Sequence, residues 1–345
     1  LKTTFSETKP TIRANLIKNG VAAFILSGST MQRFGFFLVP GFSMLSLAAA
    51  VEPLRMANAQ AKDGLYQWEF LSWDSLPVSA SNQMVTNPTI NLDQVKTLDV
   101  LLVVAGINVA SYGNDKFFSW LRQASRQVDL LGSTSTGSLL LAKAKLLRHK
   151  TCTIHWEYVD SFREQFPDVW MSGELYEFDG SLFTCSGGSA GLDMMLQIIA
   201  DKHGYELALL VAEQYMHPHI RPPHQDQRMR LQSRLNINNP RLIKAIDIMR
   251  QNLEVPLTCQ ELADASNMSA RQMERLFKQH LQQSPGQYYL HLRLEKTQQL
   301  LRQSSLSVLQ IATACGFSST SYLARCYQKK YSCSPRQERA LNSNR

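Results

Sequence analysis

At 345 residues the chain has room for two domains that each bury a core, and a composition of 44% hydrophobic and 19% charged residues excludes a disordered or fibrous protein. The formal charge is +8 and unevenly spread: residues 236–345 hold 15 Lys and Arg against 7 Asp and Glu, while the other 235 residues hold 21 of each sign. A basic excess confined to one third of the chain points to a domain that meets a polyanion beside one that does not.

No apolar run reaches the roughly 18 residues that a membrane span needs. Six cysteines with no C-x-x-C pair lack the density of a disulfide scaffold, which suits a reducing cytoplasm. Residues 1–32 read as a disordered extension. Val21 to Leu26 is a short apolar run of the kind a signal peptide carries, yet Met31 stands directly before the first strand-like segment.

From residue 33 to 216 short apolar runs alternate with helical spacing. Phe34–Val39, Trp68–Trp73, Leu98–Val104 and Val128–Leu131 read as strands, and Leu98–Val104 is apolar on both faces, as in the middle of a covered, largely parallel sheet. Leu45–Ala57, Phe117–Arg126, Gly137–Leu147 and Ala190–His203 have the spacing of helices, and Asp179-Gly180 between two apolar segments marks a hairpin. The alternation predicts an α/β sandwich. Residues 217–240, with four prolines and four arginines, break this rhythm and read as a solvated linker. His217, His219 and His224 have no acidic or cysteine partner at ligand spacing, so no metal site is expected there.

After Asn239 the chain is all helix. Thr258 with Glu261, Ser269 with Gln272, Ser284 with Gln287, Ser307 with Gln310 and Ser334 with Gln337 each fit the capping box, and Pro285 and Pro335 stand where a helix needs no N–H. Within this region one pattern occurs twice. Leu257, Leu262, Ala263, Ala265 and Met268 recur 49 residues on as Leu306, Ile311, Ala312, Ala314 and Phe317. Arg275, Phe277, Ser284 and Pro285 recur 50 residues on as Arg325, Tyr327, Ser334 and Pro335. Each copy reads as helix, tight turn, helix, and a long helix over Pro285–Arg302 joins them.

The second helix of the first copy has two faces. Met273, Leu276, Phe277 and Leu281 form a core stripe, while Arg271, Glu274, Arg275 and Lys278 fall on another side. Arginine bonds a guanine edge bidentately, glutamate accepts from cytosine N4, and lysine holds phosphate. The second copy presents Thr320, Ser321, Tyr322 and Arg325, with Gln328 and Lys329 further on. Double-stranded DNA is therefore the expected partner.

Ile311-Ala312, Gly316-Phe317, Arg325, Tyr331 and Ser334-Pro335 resemble the signature of the AraC/XylS family of transcription regulators over about residues 240–340. The resemblance implies two helix-turn-helix units entering successive major grooves. Tyr327, Ser332 and Glu338 depart from the family pattern and are expected to soften the packing at the end of the module.

The front region, through Phe37-Leu38-Val39-Pro40-Gly41-Phe42, Glu52-Pro53-Leu54, His155-Trp156 and Ser189-Ala190-Gly191-Leu192-Asp193, resembles the PfpI-type, class I glutamine amidotransferase-like fold, a flavodoxin-like α/β sandwich. Enzymes of that fold carry a cysteine on a sharp strand-to-helix turn. Here the matching turn, Gly132 to Gly137, places Ser135 at that position, and the acidic partner would fall near Ser46. A serine without an adjacent base stays protonated, so a non-catalytic sensor is expected, with an amidase or hydratase-like enzyme at Ser135 as the alternative.

Together the resemblances imply the GlxA-type subfamily. The implied effector is a small nitrogen-containing metabolite, an amino acid or quaternary amine in the class of arginine, glycine betaine and carnitine. Its expected pocket holds Gly106, Ser135, Thr136, His155 and Trp156 at the carboxyl ends of the strands. Trp68, Trp73, Trp156 and Tyr158 are candidate aromatic walls for a cation, though such residues are more often core.

The expected protein is thus a cytoplasmic homodimeric regulator, an activator that contacts RNA polymerase, with no cofactor. Its sensor spans 33–216, its linker 217–240 and its DNA-binding domain 241–340.

Overall fold

A computed structural model describes residues 31–61, 64–229 and 231–343. The expected extension lies outside the described residues except for Met31 and Gln32, and Gln32 already belongs to the first strand. The chain divides into two units, one ending at Gln227 and one beginning at Arg228.

The first unit runs β1 (Gln32–Leu38), α1 (Met44–Ala61), β2 (Tyr66–Leu71), β3 (Val78–Ser79), β4 (Val85–Thr86), β5 (Val100–Val104), α2 (Asp115–Ala124), β6 (Leu130–Thr134) and α3 (Ser138–Lys143). It continues with β7 (Thr151–Cys152), α4 (Val159–Gln165), β8 (Trp170–Met171), β9 (Tyr176–Asp179), β10 (Leu182–Cys185), α5 (Ala190–His203) and α6 (Tyr205–Gln214). The main sheet has the order β2-β1-β5-β6-β10-β9, parallel except for the edge hairpin β9–β10. The period of two explains its double burial. Phe34, Phe36 and Leu38 face one core with α1, α5 and α6, while Phe37, Val39, Leu101 and Val103 face a second with α2 and α3. This is the α/β sandwich that the alternating pattern predicts.

The second unit is helical: α7 (Leu231–Leu235), α8 (Pro240–Gln251), α9 (Cys259–Ala265), α10 (Ala270–Leu281), α11 (Pro285–Gln303), α12 (Val308–Ala314), α13 (Thr320–Tyr331) and α14 (Pro335–Ser343). Both hydrogen bonds of the box form at Thr258, Ser269, Ser284 and Ser307, and again between Ser334 and Gln337. Each such cap contributes about 1 kcal/mol, a large share of what a seven-residue helix needs. The long α11 serves two cores: Tyr288, Tyr289 and Leu292 pack with α8–α10, and Leu294, Leu300 and Leu301 pack with α12 and α13.

The duplication extends to backbone details. Both α10 and α13 end on a non-glycine residue in the left-handed conformation, Gln282 at φ 57° and Ser332 at φ 61°. The tight turns also match: Gly316 has φ +68°, and its counterpart in the first copy is Asn267 at φ 54°. Asparagine tolerates this region through its short polar side chain, so only one turn uses glycine. At Gly316 a Cβ would lie 2.5 Å from the Leu253 carbonyl oxygen, which leaves no room for any other residue.

Glu338 does not soften the packing. Its counterpart in the first copy is Tyr288, which sits edge-on to Phe277. In the second copy Glu338 is buried beside Tyr327, and Arg302 Nε donates to its carboxylate at 2.7 Å. Burial by itself would raise the Glu338 pKa, but the hydrogen bonds from Arg302 and Cys333 hold it below the usual value of 4.5. Its stabilising contribution is therefore complete above that value and is lost as pH falls through the lowered one. Glu338→Gln should cost about 1–3 kcal/mol at neutral pH. In thermal melts, the gap between variant and wild type should close as pH drops below 4.5. A gap independent of pH would show that the carboxylate charge is not what stabilises.

Candidate nucleic-acid interface and sensor site

The rotation of α10 is set by Met273 and Phe277, both 0% exposed. With those two side chains inward, Arg271, Glu274, Arg275 and Lys278 are all exposed on one helix. In α13, Leu323 and Tyr327 are likewise fully buried, and Ser321, Tyr322, Arg325 and Lys329 are exposed, with Thr320 half-buried at the helix start. The Arg325 guanidinium lies 6.0 Å from the centre of the Tyr322 ring, so the two form one amphipathic surface. Arg325 thus occupies in α13 the place that Arg275 has in α10, 50 residues earlier.

Sequence reasoning missed the residue that holds the turn of the second copy. Arg293, on α11, donates from Nε to the Cys315 carbonyl at 2.8 Å and from Nη2 to the Gly316 carbonyl. Its guanidinium also stacks 4.2 Å above the Phe317 ring. One side chain therefore satisfies two carbonyls at the end of α12 that the helix leaves without partners. Its signal in the sequence was only an arginine between the core residues Leu292 and Leu294 of α11.

In the first unit, β1, β5, β6 and β10 run parallel, so the loops after them share one edge of the sheet. Between β1 and β5, where the strand order reverses, the chain closes its own crevice: Phe42 bridges Gly106, Ile107 N donates to the Gly41 carbonyl and Ser43 N to the Ala105 carbonyl. The candidate site consequently lies one strand further along, at the turn after β6. There Ser135 adopts φ +60°, a strained conformation costing about 1–3 kcal/mol for a residue with a side chain. Thr136 Oγ1 donates to the Gly106 carbonyl at 2.7 Å, and His155 N donates to the Ser135 carbonyl at 3.1 Å. A Cβ on Gly187 would sit 2.7 Å from Ser135 Cα, so glycine is needed there for the close approach.

The structure thus brings Gly106, Ser135, Thr136 and His155 together by hydrogen bonds, with Trp156 next to His155 at a ring separation of 5.4 Å. His155 is turned toward Glu157, whose amide donates to Nδ1 at 3.4 Å and whose carboxylate lies 3.8 Å away. Burial lowers the pKa of His155, with Glu157 opposing, so the imidazole is neutral near pH 7. Ser46, where an acidic partner would stand, is fully buried and accepts from Gly188 N at 2.8 Å.

The four aromatic residues do not form one wall. Trp68 packs on the α1/α5 side of the sheet, whereas Trp73 and Tyr158 pack on the α2/α3 side. Trp68 lies within β2, whereas Trp73 lies beyond its end and joins Phe117 and Trp120 as core.

The histidines read as linker residues have partners. His217 Nε2 lies 2.8 Å from the Asp193 carboxylate and His224 Nδ1 3.1 Å from Glu174. The expected linker is held at both ends: residues 217–227 dock on the first unit, and Leu231, Leu235 and Ile237 pack in the second unit's core. Proline-rich composition hid this, because a docked extended strap carries the same residues as a free one. Among the described residues no helix is long and apolar enough to cross a membrane.

Two family models match the chain: the DJ-1/PfpI family over residues 36–201 and a helix-turn-helix domain over residues 262–340. The HTH-type transcriptional regulator CdhR of Pseudomonas aeruginosa is 44% identical over 310 residues, covering 90% of this chain and 92% of that protein. The HTH-type transcriptional regulator GlxA of Rhizobium meliloti is 33% identical over 88% of this chain and 94% of its own length. An isonitrile hydratase of Pseudomonas putida is 30% identical over 52% of this chain and 75% of the hydratase.

The Arg293 contacts give a direct test. Arg293→Leu strands two carbonyls and should cost about 1–3 kcal/mol. Arg293→Lys should restore little of it, since an ammonium lacks the planar fork. Hydrogen exchange would place the loss in α12 and α13, with α9 and α10 unaffected. A loss spread evenly over both copies would refute the assignment.

Proposed function

The chain belongs to the GlxA-like transcriptional regulators, which join a DJ-1/PfpI domain to an AraC-type helix-turn-helix module, and from that premise we propose how its two units divide the work. Residues 241–340 read DNA through α10 and α13. Arg271, Glu274, Arg275, Ser321, Tyr322 and Arg325 face base edges, while Lys278, Thr320 and Lys329 hold phosphates. The observation that carries this reading is the paired exposure of Arg275 and Arg325 at equivalent points of two helices whose opposite faces are buried.

Residues 33–216 sense a small nitrogen-containing metabolite, an amino acid or quaternary amine, at Gly106, Ser135, Thr136, His155 and Trp156. The regulator works in the cytoplasm as a homodimer and activates transcription through RNA polymerase. CdhR and GbdR, at 44% and 40% identity, are regulators by name over most of their length, which supports a sensor without catalysis. The alternative, a hydratase-like enzyme, draws on the strained turn at Ser135 and on the isonitrile hydratase similarity. Against it stand a serine, Ser46, where the acid that orients a base would be, and a His155 ring turned to the exposed Glu157. An uncharged hydroxyl without a base is a poor nucleophile.

Arg275→Ala or Arg325→Ala should each cost about 1–3 kcal/mol on the preferred duplex and little on random DNA. Lys278→Ala should weaken all duplexes alike and flatten the logarithmic salt slope by about one unit. Gel-shift titration across salt concentrations checks both, and identical behaviour of Arg275→Ala and Lys278→Ala would sink the assigned roles. For the sensor, an effector at about 100 times its Kd should stabilise the first unit by about 2.7 kcal/mol in a thermal-shift screen. Covalent trapping that disappears in Ser135→Ala would instead establish the enzyme.

A further inference from the structure

The segment from His217 to Gln227 is tied to the two stretches of chain that wall the candidate pocket. At its start, the fully buried Asp193 carboxylate takes four contacts from it: His217 Nε2 at 2.8 Å, and Arg221 N, Nε and Nη2 at 2.7, 2.9 and 2.6 Å. Arg221 Nη2 also donates to Ser189 Oγ at 2.9 Å. In its middle, Tyr176 Oη donates to the Arg221 carbonyl and Leu175 N to the Pro223 carbonyl. At its end, Gln227 Nε2 lies 2.9 Å from Thr153 Oγ1, 3.0 Å from the Ile154 carbonyl and 2.9 Å from the Glu174 carbonyl.

These anchor points adjoin the site. Ile154 precedes His155, whose amide donates to Ser135. Leu175 accepts from Ser186 N, and the next residue, Gly187, rests on Ser135. Gln227 is also the last residue before the second unit begins at Arg228. Its grip is imperfect. Three acceptors surround an amide nitrogen that has two hydrogens, and Gln227 Oε1 is buried with no hydrogen-bond partner. The two ends of the strap therefore differ. The Asp193 end is a charge pair on a fully buried carboxylate, with Arg221 Nε and Nη2 both on Oδ2, and opens reluctantly; the Gln227 end is a neutral, incompletely paired contact that opens first.

We propose that Gln227 is a positioning residue that couples the pocket to the DNA-binding unit through this strap. The inference rests on the reading of the Ser135 turn as a sensor site. A ligand that shifts the 154–155 or 175–187 backbone changes the docking of Gln227. Undocking the stretch from Pro222 to Gln227, beyond the Arg221 anchor, lengthens the tether ahead of Arg228 by up to about 20 Å when extended. In the proposed homodimer, tether length sets the effective concentration of one DNA-binding unit once the other is bound, so docking and DNA affinity are linked, and by reciprocity ligand affinity is linked to both.

The test uses the full chain without ligand. Gln227→Leu removes the amide at similar volume, and Gln225→Leu, an exposed neighbour on the same strap, is the control. In Gln227→Leu the amides of residues 224–229 should exchange about tenfold faster or more while the sheet keeps its protection. Affinity for duplexes that the wild-type chain selects from a random library should change about fivefold or more. The control should match wild type in both. Unchanged exchange, unchanged DNA affinity, or exchange that rises throughout the sheet each overturns the proposal, the last because it marks a purely structural role. A separate thermal-shift arm titrates wild type with L-arginine, glycine betaine and carnitine. Silence there counts against the effector class and leaves the comparison of variants decided by itself.

Discussion

The burial of four side chains, Met273 and Phe277 in α10 and Leu323 and Tyr327 in α13, is the constraint on which the DNA-facing surface depends. A twelve-residue helix has no freedom to rotate once two residues four apart are fixed in a core, because every other position is then set by the 100° step. Removing either aromatic ring would forfeit about 3–5 kcal/mol of packing. The polar stripe needs no stabilisation of its own, since the apolar stripe has already aimed it. That separation lets the recognition residues differ between copies, Arg271 and Glu274 against Ser321 and Ala324, while the cores stay alike.

The two copies also show how one geometry is met by different chemistry. The left-handed turn is Asn267 in one copy and Gly316 in the other, and the difference follows from surroundings: Gly316 meets the 253–256 segment closely, and a side chain would collide. The ring of Tyr288 against Phe277 has its counterpart in a carboxylate, Glu338, beside Tyr327. A buried carboxylate is tolerable only because Arg302 and the weaker Cys333 donor compensate its lost hydration. The helix ends are also tied differently: Arg293 bonds the Cys315 and Gly316 carbonyls in the second copy, whereas in the first the Ser266 hydroxyl bonds the Leu262 and Ala263 carbonyls one turn earlier.

In the first unit the same economy of backbone contacts defines the site. The crevice at the reversal of strand order, where open α/β sheets commonly bind ligands, is occupied by the protein's own Phe42–Gly106 bridge. The strained Ser135 turn beside it persists because Gly187 and the His155 amide hold it from two sides. Such over-determined strain belongs to a position where geometry matters. The groups around it suit binding: a neutral imidazole, a serine hydroxyl and an adjoining indole.

Periodicity and capping chemistry were enough to specify the elements. The β strands of the double-faced sheet, the hairpin at Asp179-Gly180, the helix Ala190–His203 and five capping boxes follow from local rules, because each concerns residues within one turn or one strand. The duplication likewise fixed which arginines face outward, since two copies of one pattern constrain each other. What only the folded chain decided are contacts between residues far apart in sequence: Arg293 with the α12 turn, Asp193 with His217 and Arg221, Gln227 with Ile154, and the separation of Trp68 from Trp73 by the sheet. A strap rich in proline and histidine carries no period, so its docking is set by partners that the local sequence does not contain, and tertiary structure alone turns it from a linker into a held segment.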